Sequence, residues 1–213
     1  MDILYGGTFD PPHLGHERFI ELVLARFPDA RLHLVPCWQP VHKARAQADP
    51  EQRLGMLQAL CAPWRRVTID QQELRAAEPV YTLETLQAWR AELGDRASLV
   101  FAMGGDSFAG LHQWSRWQQL TELAHILVLP RPGWKQDLPP EVAAHFQGRW
   151  LAPRDTETLA RTPCGHAMEL PGKALTCASS QIREGTAVLA HAVPERVLHY
   201  IRQERVYPSL EVQ

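Results

Sequence analysis

The stretch Gly6-Gly7-Thr8-Phe9-Asp10-Pro11-Pro12-His13-Leu14-Gly15-His16 constrains this chain more than any other, because it must turn a strand into a helix. Before it, Met1 to Tyr5 is an apolar run broken by Asp2. The glycine pair ends that run as a strand, where the backbone can approach a ligand closely. After it, Phe19, Ile20, Val23, Leu24 and Phe27 recur at helical spacing, which predicts a helix from about Leu14 to just before Pro28. A turn of that kind presents free N–H groups and the positive end of a helix dipole, both of which favour an anion. His13 and His16 stand three residues apart, so within a helix their rings share a side and both can donate to one phosphate group. Thr8 is left at the sheet's edge, and Gly15 presents no side chain to a flat base. Taken singly, either histidine is better explained by solvation or a helix cap, and a zinc pair would lack a nearby third ligand.

What surrounds this turn is an ordinary folded chain. Its 213 residues, 45% hydrophobic, suffice for a sizeable core. A net charge of −2, with basic residues spread throughout, supports neither a nucleic-acid groove nor a polybasic membrane patch. The first residues do not resemble a signal peptide, and no apolar run approaches a membrane span. Cys37, Cys61, Cys164 and Cys177 have no C-x-x-C spacing and read as reduced packing residues, so the expected compartment is the cytosol.

Along the chain, Leu32 to Val35 reads as a second strand, and a helix between two strands implies a parallel βαβ unit. The loop after it carries Lys43, which is thereby placed on the same side of the sheet as the turn; taken alone it is a solvated lysine. Asp49-Pro50-Glu51-Gln52 opens the next helix as a capping box, with Leu54, Leu57, Ala59, Leu60 and Cys61 facing the core. Val67 to Asp70 is a third strand. A third long helix begins at Thr82 and stops at Gly94, so Tyr81, Thr82 and, one turn in, Thr85 mark a second helix start fit for an anion, or simply a threonine cap. Leu99 to Met103 is a strand buried on both faces, running into Gly104-Gly105-Asp106-Ser107. Asp106 there suits either a ribose hydroxyl or a turn cap.

Ser115 and Gln118 are spaced as a capping box between Trp114 and Trp117, one of which can pack while the other meets a flat ring. Ile126 to Leu129 is a fifth strand. From Lys135 to Lys173 the chain is proline-rich and weakly periodic, and reads as an excursion from the sheet with a helical patch at Val142 to Phe146 and one more strand near Ala167 to Leu170. Ser179-Ser180-Gln181-Ile182-Arg183 opens a short helix whose arginine has the forked donors a polyphosphate takes, though it is also a capped helix with a surface arginine. A last helix follows Pro194, and the tail after Tyr207 is expected to fray.

The turn at 6 to 16 resembles the signature of the nucleotidyltransferase superfamily, the T/SFDPxHxGH form of its His-x-Gly-His motif. Within it the chain is similar to the bacterial nicotinate-mononucleotide adenylyltransferases from Ile3 to Tyr207. Further matching blocks are Pro40-Val41-His42-Lys43, Tyr81-Thr82-x-x-Thr85-Leu86, Gly104-x-Asp106-Ser107 with Trp114, Arg131-Pro132-Gly133, and Ser179 to Arg183. The resemblance implies an α/β fold with a single Rossmann-like, doubly wound parallel sheet and a small C-terminal helical extension. Residues 1–185 would form the catalytic domain, with 186–213 as a helix and tail packed on it.

It further implies adenylyl transfer from ATP to nicotinate mononucleotide, giving deamido-NAD and pyrophosphate. His13, His16, Lys43 and Arg183 would be the catalytic donors. Gly6, Gly7, Thr8, Phe9, Gly15, Asp106, Ser179, Ser180 and Ile182 would line the ATP site, and Tyr81, Thr82, Thr85, Trp114 and Ser115 the mononucleotide site. Magnesium would be held mainly by the ATP phosphates and water, with Asp10 a weaker protein ligand that can equally cap the loop. One hydroxyl common in the family's Ile-Ser-Ser-Thr-x-Ile-Arg block is missing here at Ala178. Nicotinamide mononucleotide, both pyridine mononucleotides, or phosphopantetheine are the rival substrates. A nucleotide-binding regulatory module is the non-enzymatic alternative. Oligomeric state is not readable from the sequence.

Overall fold

The computed structural model describes the chain apart from residues 40–44, 77, 131–137, 173–174, 176, 186–187 and 211–213. Strand β1 (Asp2–Gly7) leads through the signature loop into helix α1 (Leu14–Arg26), and β2 (Arg31–Pro36) follows. Helix α2 (Pro50–Cys61), β3 (Val67–Ile69), α3 (Thr82–Leu93) and β4 (Leu99–Gly104) continue the alternation. Two short helices, α4 (Gly105–Ala109) and α5 (Leu120–Leu123), precede β5 (His125–Leu129). Next come α6 (Pro140–Phe146), β6 (Trp150–Leu151), α7 (Thr156–Arg161) and β7 (Ala167–Glu169). The chain ends on α8 (Ser179–Arg183), α9 (Leu189–Ala192) and α10 (Glu195–Gln203).

The strands form one 7-stranded sheet in the order β3-β2-β1-β4-β5-β7-β6, and every pairing is parallel. Because neighbouring side chains on a strand point to opposite faces, β1 sends Ile3 into one core layer and Leu4 into the other. The first layer packs Phe19, Ile20 and Val23 of α1 with Met56, Leu57 and Leu60 of α2 and Val197, Leu198 and Ile201 of α10. The second packs Leu83, Leu86 and Trp89 of α3 with Phe108, Val142 and Phe146. Covering both faces is what a parallel sheet requires, and it makes the fold doubly wound. The order of strands reverses between β1 and β4, so the crevice at their carboxyl ends lies between the signature loop and Gly104–Asp106.

Several expectations are corrected. The sequence predicts an excursion from the sheet over 135–173; within it, the described residues 138–172 stay with the sheet and, beside the expected helix and strand, supply β6, α7 and the sheet's outer edge. A strand of two residues is too short to show alternation, which is why the sequence conceals it. Ser115 caps nothing. The chain passes through a left-handed Arg116 (φ 51) and enters a 3-10 helix at Trp117, leaving Ser115 outside it. Thr82 is the first residue of α3, and the cap position belongs to Tyr81.

Beyond the last strand, α10 shares the first core layer with α2. A Cβ on Gly55 would lie 2.1 Å from the Tyr200 hydroxyl, so α2 has room for this helix only because residue 55 has no side chain. Arg196 fastens the same helix, donating to the Leu60 carbonyl and pairing with Glu17 at 2.6 Å. Cys37, Cys61, Cys164 and Cys177 are all outside disulfides.

Candidate active site

The signature loop is shaped by its own aromatic rings. Phe9 has φ 52 and is 1% exposed; its ring fills the space where a Cβ on Gly7 would lie 2.9 Å away. It packs against Tyr5 and, at 4.9 Å, against His16, so Phe9 can reach a ligand only through its backbone. His13 and His16 stack with ring centroids 3.7 Å apart, on one side as their spacing predicted. The backbone N–H of His13 donates to His16 Nδ1 at 3.0 Å. A ring nitrogen that accepts there carries no proton, so the N–H of a neutral His16 ring is at Nε2. Gly15 is required for a reason the sequence did not give: a Cβ there would sit 2.8 Å from His13 Cε1.

The helix α8 is pinned to this loop. Ser179 Oγ donates to the Pro11 carbonyl at 2.9 Å, and Arg183 Nη1 donates to the Asp10 carbonyl at 2.6 Å. The guanidinium is therefore held on the same loop that carries the two imidazoles, although 168 residues separate Pro11 from Ser179. Ser180 is exposed, and Ile182 is buried in the core beneath the helix. Lys43 and the Arg131-Pro132-Gly133 block lie outside the described residues.

Asp10 is fully buried, and its carboxylate accepts three hydrogen bonds. Oδ2 accepts from the Gln47 N–H at 2.8 Å, and Oδ1 from the Ala48 N–H at 3.0 Å and the Tyr207 hydroxyl at 2.6 Å. Arg183 Nη1 stands 3.6 Å from Oδ2. Three of the roughly four acceptor sites of this carboxylate are thus filled from remote segments, and the Arg183 cation already stands beside it, so it serves to organise loops. Among the described residues no cluster of three or more His, Cys, Asp or Glu is placed to hold a metal.

Sequence reasoning missed Arg53, the largest fully buried side chain. It donates to the carbonyls of Thr8, Cys37 and Trp38 at 3.1, 2.6 and 2.7 Å, which ties the ends of β1 and β2 together under the site. The signal was present: Arg53, Met56, Leu57 and Leu60 form one helical stripe, and an arginine on an apolar stripe must find buried acceptors. Thr8 Oγ1 receives the Cys37 thiol at 3.8 Å. Burial holds that thiol above its ordinary value, with the Arg53 cation pulling it down and the Glu73 carboxyl pushing it up.

Across the crevice, Asp106 is exposed in the first turn of α4, whose cap is Gly104. Tyr81 is 40% exposed at the start of α3, Thr82 is half-buried, and Thr85 is 4% exposed. The Thr85 hydroxyl is already engaged, donating to Glu73 Oε1 at 2.5 Å. Burial, reinforced by Asp70, pushes the Glu73 carboxyl up to about 7. Trp114 is half-buried with its edge toward Phe101 at 6.3 Å, and Ser115 beside it is exposed. Arg116 reaches from this loop to Glu84 of α3 at 3.7 Å.

A doubly wound parallel sheet carrying stacked histidines, an arginine and a strand-to-helix turn at its switch point defines a nucleotide-binding α/β protein of the nucleotidyltransferase type. More narrowly, the chain belongs to the cytidylyltransferase-like family, which it matches over residues 4–185. It is 39% identical over 212 residues to a protein of Cellvibrio japonicus named as a probable nicotinate-nucleotide adenylyltransferase, covering 96% of this chain and 97% of that one. A protein of the same name from Marinomonas is 36% identical over 208 residues, covering 96% and 93%. Among solved structures, the nicotinic acid mononucleotide adenylyltransferase of Plasmodium falciparum complexed with NaAD superposes with a TM-score of 0.70 at 15% identity, covering 100% and 98%. At that identity the likeness is one of fold.

Proposed function

We propose that this chain transfers the adenylyl group of ATP to nicotinate mononucleotide, releasing pyrophosphate and forming deamido-NAD. The observation that carries the reading is the convergence of the His13–His16 pair and the α8 arginine on one loop, in a chain whose full-length relatives bear that activity's name. A phosphate oxygen of the mononucleotide attacks the α-phosphorus, and the bond from that phosphorus to the bridging oxygen of pyrophosphate breaks. The nucleophile arrives as an anion, so alignment and charge neutralisation are the obstacles and no general base is needed.

In this reading His16 Nε2–H and His13 donate to the phosphates, Arg183 and Lys43 neutralise the leaving pyrophosphate, and Thr8 and the α1 N-terminus complete the cradle. Asp106 would take a ribose, and Trp114 with the start of α3 the pyridine ring. Magnesium would enter on the triphosphate, coordinated by phosphate oxygens and water, because Asp10 is buried and already accepts three hydrogen bonds, from Gln47, Ala48 and Tyr207. When bound there it adds positive charge against the phosphates.

The test is to incubate the protein with ATP, magnesium and each pyridine mononucleotide in turn and to measure pyrophosphate. Release with nicotinate mononucleotide, at a kcat/KM about tenfold or more above that with nicotinamide mononucleotide, is expected. Equal rates would mean dual specificity, and no release with either would remove the proposal.

A further inference from the structure

A residue that merely caps a turn finds its partners two or three residues away. Asp10 instead gathers three remote segments: Gln47 and Ala48, Arg183, and Tyr207, which is 197 residues further along the chain. We propose that Tyr207 is a positioning residue for the reaction, acting through Asp10. The phenol fixes the carboxylate; the carboxylate fixes the backbone four residues past Lys43; and the carbonyl of the same Asp10 fixes Arg183. The proposal rests on the reading above, in which Lys43 and Arg183 meet the triphosphate.

The tail is built to deliver that hydroxyl. After α10, Arg205 (φ 50) and Tyr207 (φ 60) both adopt the left-handed region, which is unfavourable for a residue with a side chain and persists where tertiary contacts hold it. Between them, Val206 is 2% exposed and its N–H bonds back to the Ile201 carbonyl, and the tyrosine ring turns inward to 6% exposure. Burial, together with the neighbouring Asp10 carboxylate, pushes the phenol well above its ordinary value, so it remains a donor. The loop on which it acts is closed a second time, where the Ala46 N–H meets Gln39 Oε1 at 3.4 Å.

Tyr207→Phe keeps the ring and removes the donor. The expected result is a fall in kcat of about tenfold, as for a modest misplacement of reacting groups, with the KM for the mononucleotide changed less than twofold. Amide hydrogen exchange at Gln47 and Ala48, measured without substrate, should accelerate. In an Asp10→Asn background the same substitution should have no further effect, because the path runs through that carboxylate. Wild-type kcat with unchanged exchange at 47–48 would overturn the proposal, as would additive losses in the double variant. If Asp10→Asn does not fold, exchange in Tyr207→Phe decides the matter alone. Since exchange needs no substrate, an error in the substrate assignment would not disguise the outcome here.

Discussion

The two ends of the crevice are made differently. At the signature end, Asp10 and Arg53 are fully buried, His13 is 6% exposed, and their partners come from distant parts of the chain. At the other end, Tyr81 is 40% exposed, Trp114 meets Phe101 edge-on, and the Arg116–Glu84 pair spans 3.7 Å between half-exposed side chains. Exposed pairs at such distances contribute little, about 0–1 kcal/mol. The first end is therefore set before any ligand arrives, which is what stabilising a charged transition state demands. The second is held by weaker contacts, and under the proposed reading its rings would supply area and shape more than fixed charge.

This contrast can be broken most sharply at His16. His16→Ala should lower turnover about a hundredfold or more while circular dichroism shows the fold intact and Tm falls by only a few degrees, since one preset donor and a helix-capping bond are lost. A folded variant with unchanged steady-state pyrophosphate release would mean that the signature end is not where the chemistry lies. Trp114→Ala should raise the KM for the mononucleotide roughly tenfold with a smaller change in kcat, as the loss of stacking area predicts. If only the KM for ATP moved, the two substrates would have to exchange ends.

The smallest expected effect concerns Glu73. Its carboxyl is raised to about 7 in the fold from 4.5, so between those values the folded state holds a proton that the unfolded chain has released. Stability from this group is present below about pH 4.5 and is lost as pH rises through 7. Glu73→Gln, which cannot ionise, should therefore gain a few degrees of Tm over wild type between pH 5 and 8. A difference in Tm that stays flat across that range would show that the second end is better solvated than the geometry indicates.

The sequence made one of these ends far more legible than the other parts of the site. Residues 6 to 16 are contiguous, and their types point to a strand-to-helix turn, which the structure has, and to the phosphate site proposed above. The Asp49 capping box was also readable, and Asp49 Oδ1 indeed accepts the Gln52 N–H at 2.8 Å. Ser115 and Gln118 have comparable spacing and form no box, because the helix there starts two residues later, after a left-handed Arg116. Spacing states which residues could cap a helix; the backbone decides where the helix begins. Arg53 was legible in principle as a cation on an apolar stripe. The Asp10–Tyr207 bond was not, since no local pattern links residues so far apart, and the two-residue β6 is too brief for any periodicity.

The distance along the chain between Asp10 and Tyr207 also imposes an order in time. On a ribosome adding about 5–20 residues per second, the signature turn is made roughly 10–40 s before the phenol that completes it. Throughout that interval the nascent protein carries its histidines but lacks the last link beneath them. Its capacity to act on nucleotides should thus mature only as the final helix and the segment after it are synthesised and docked.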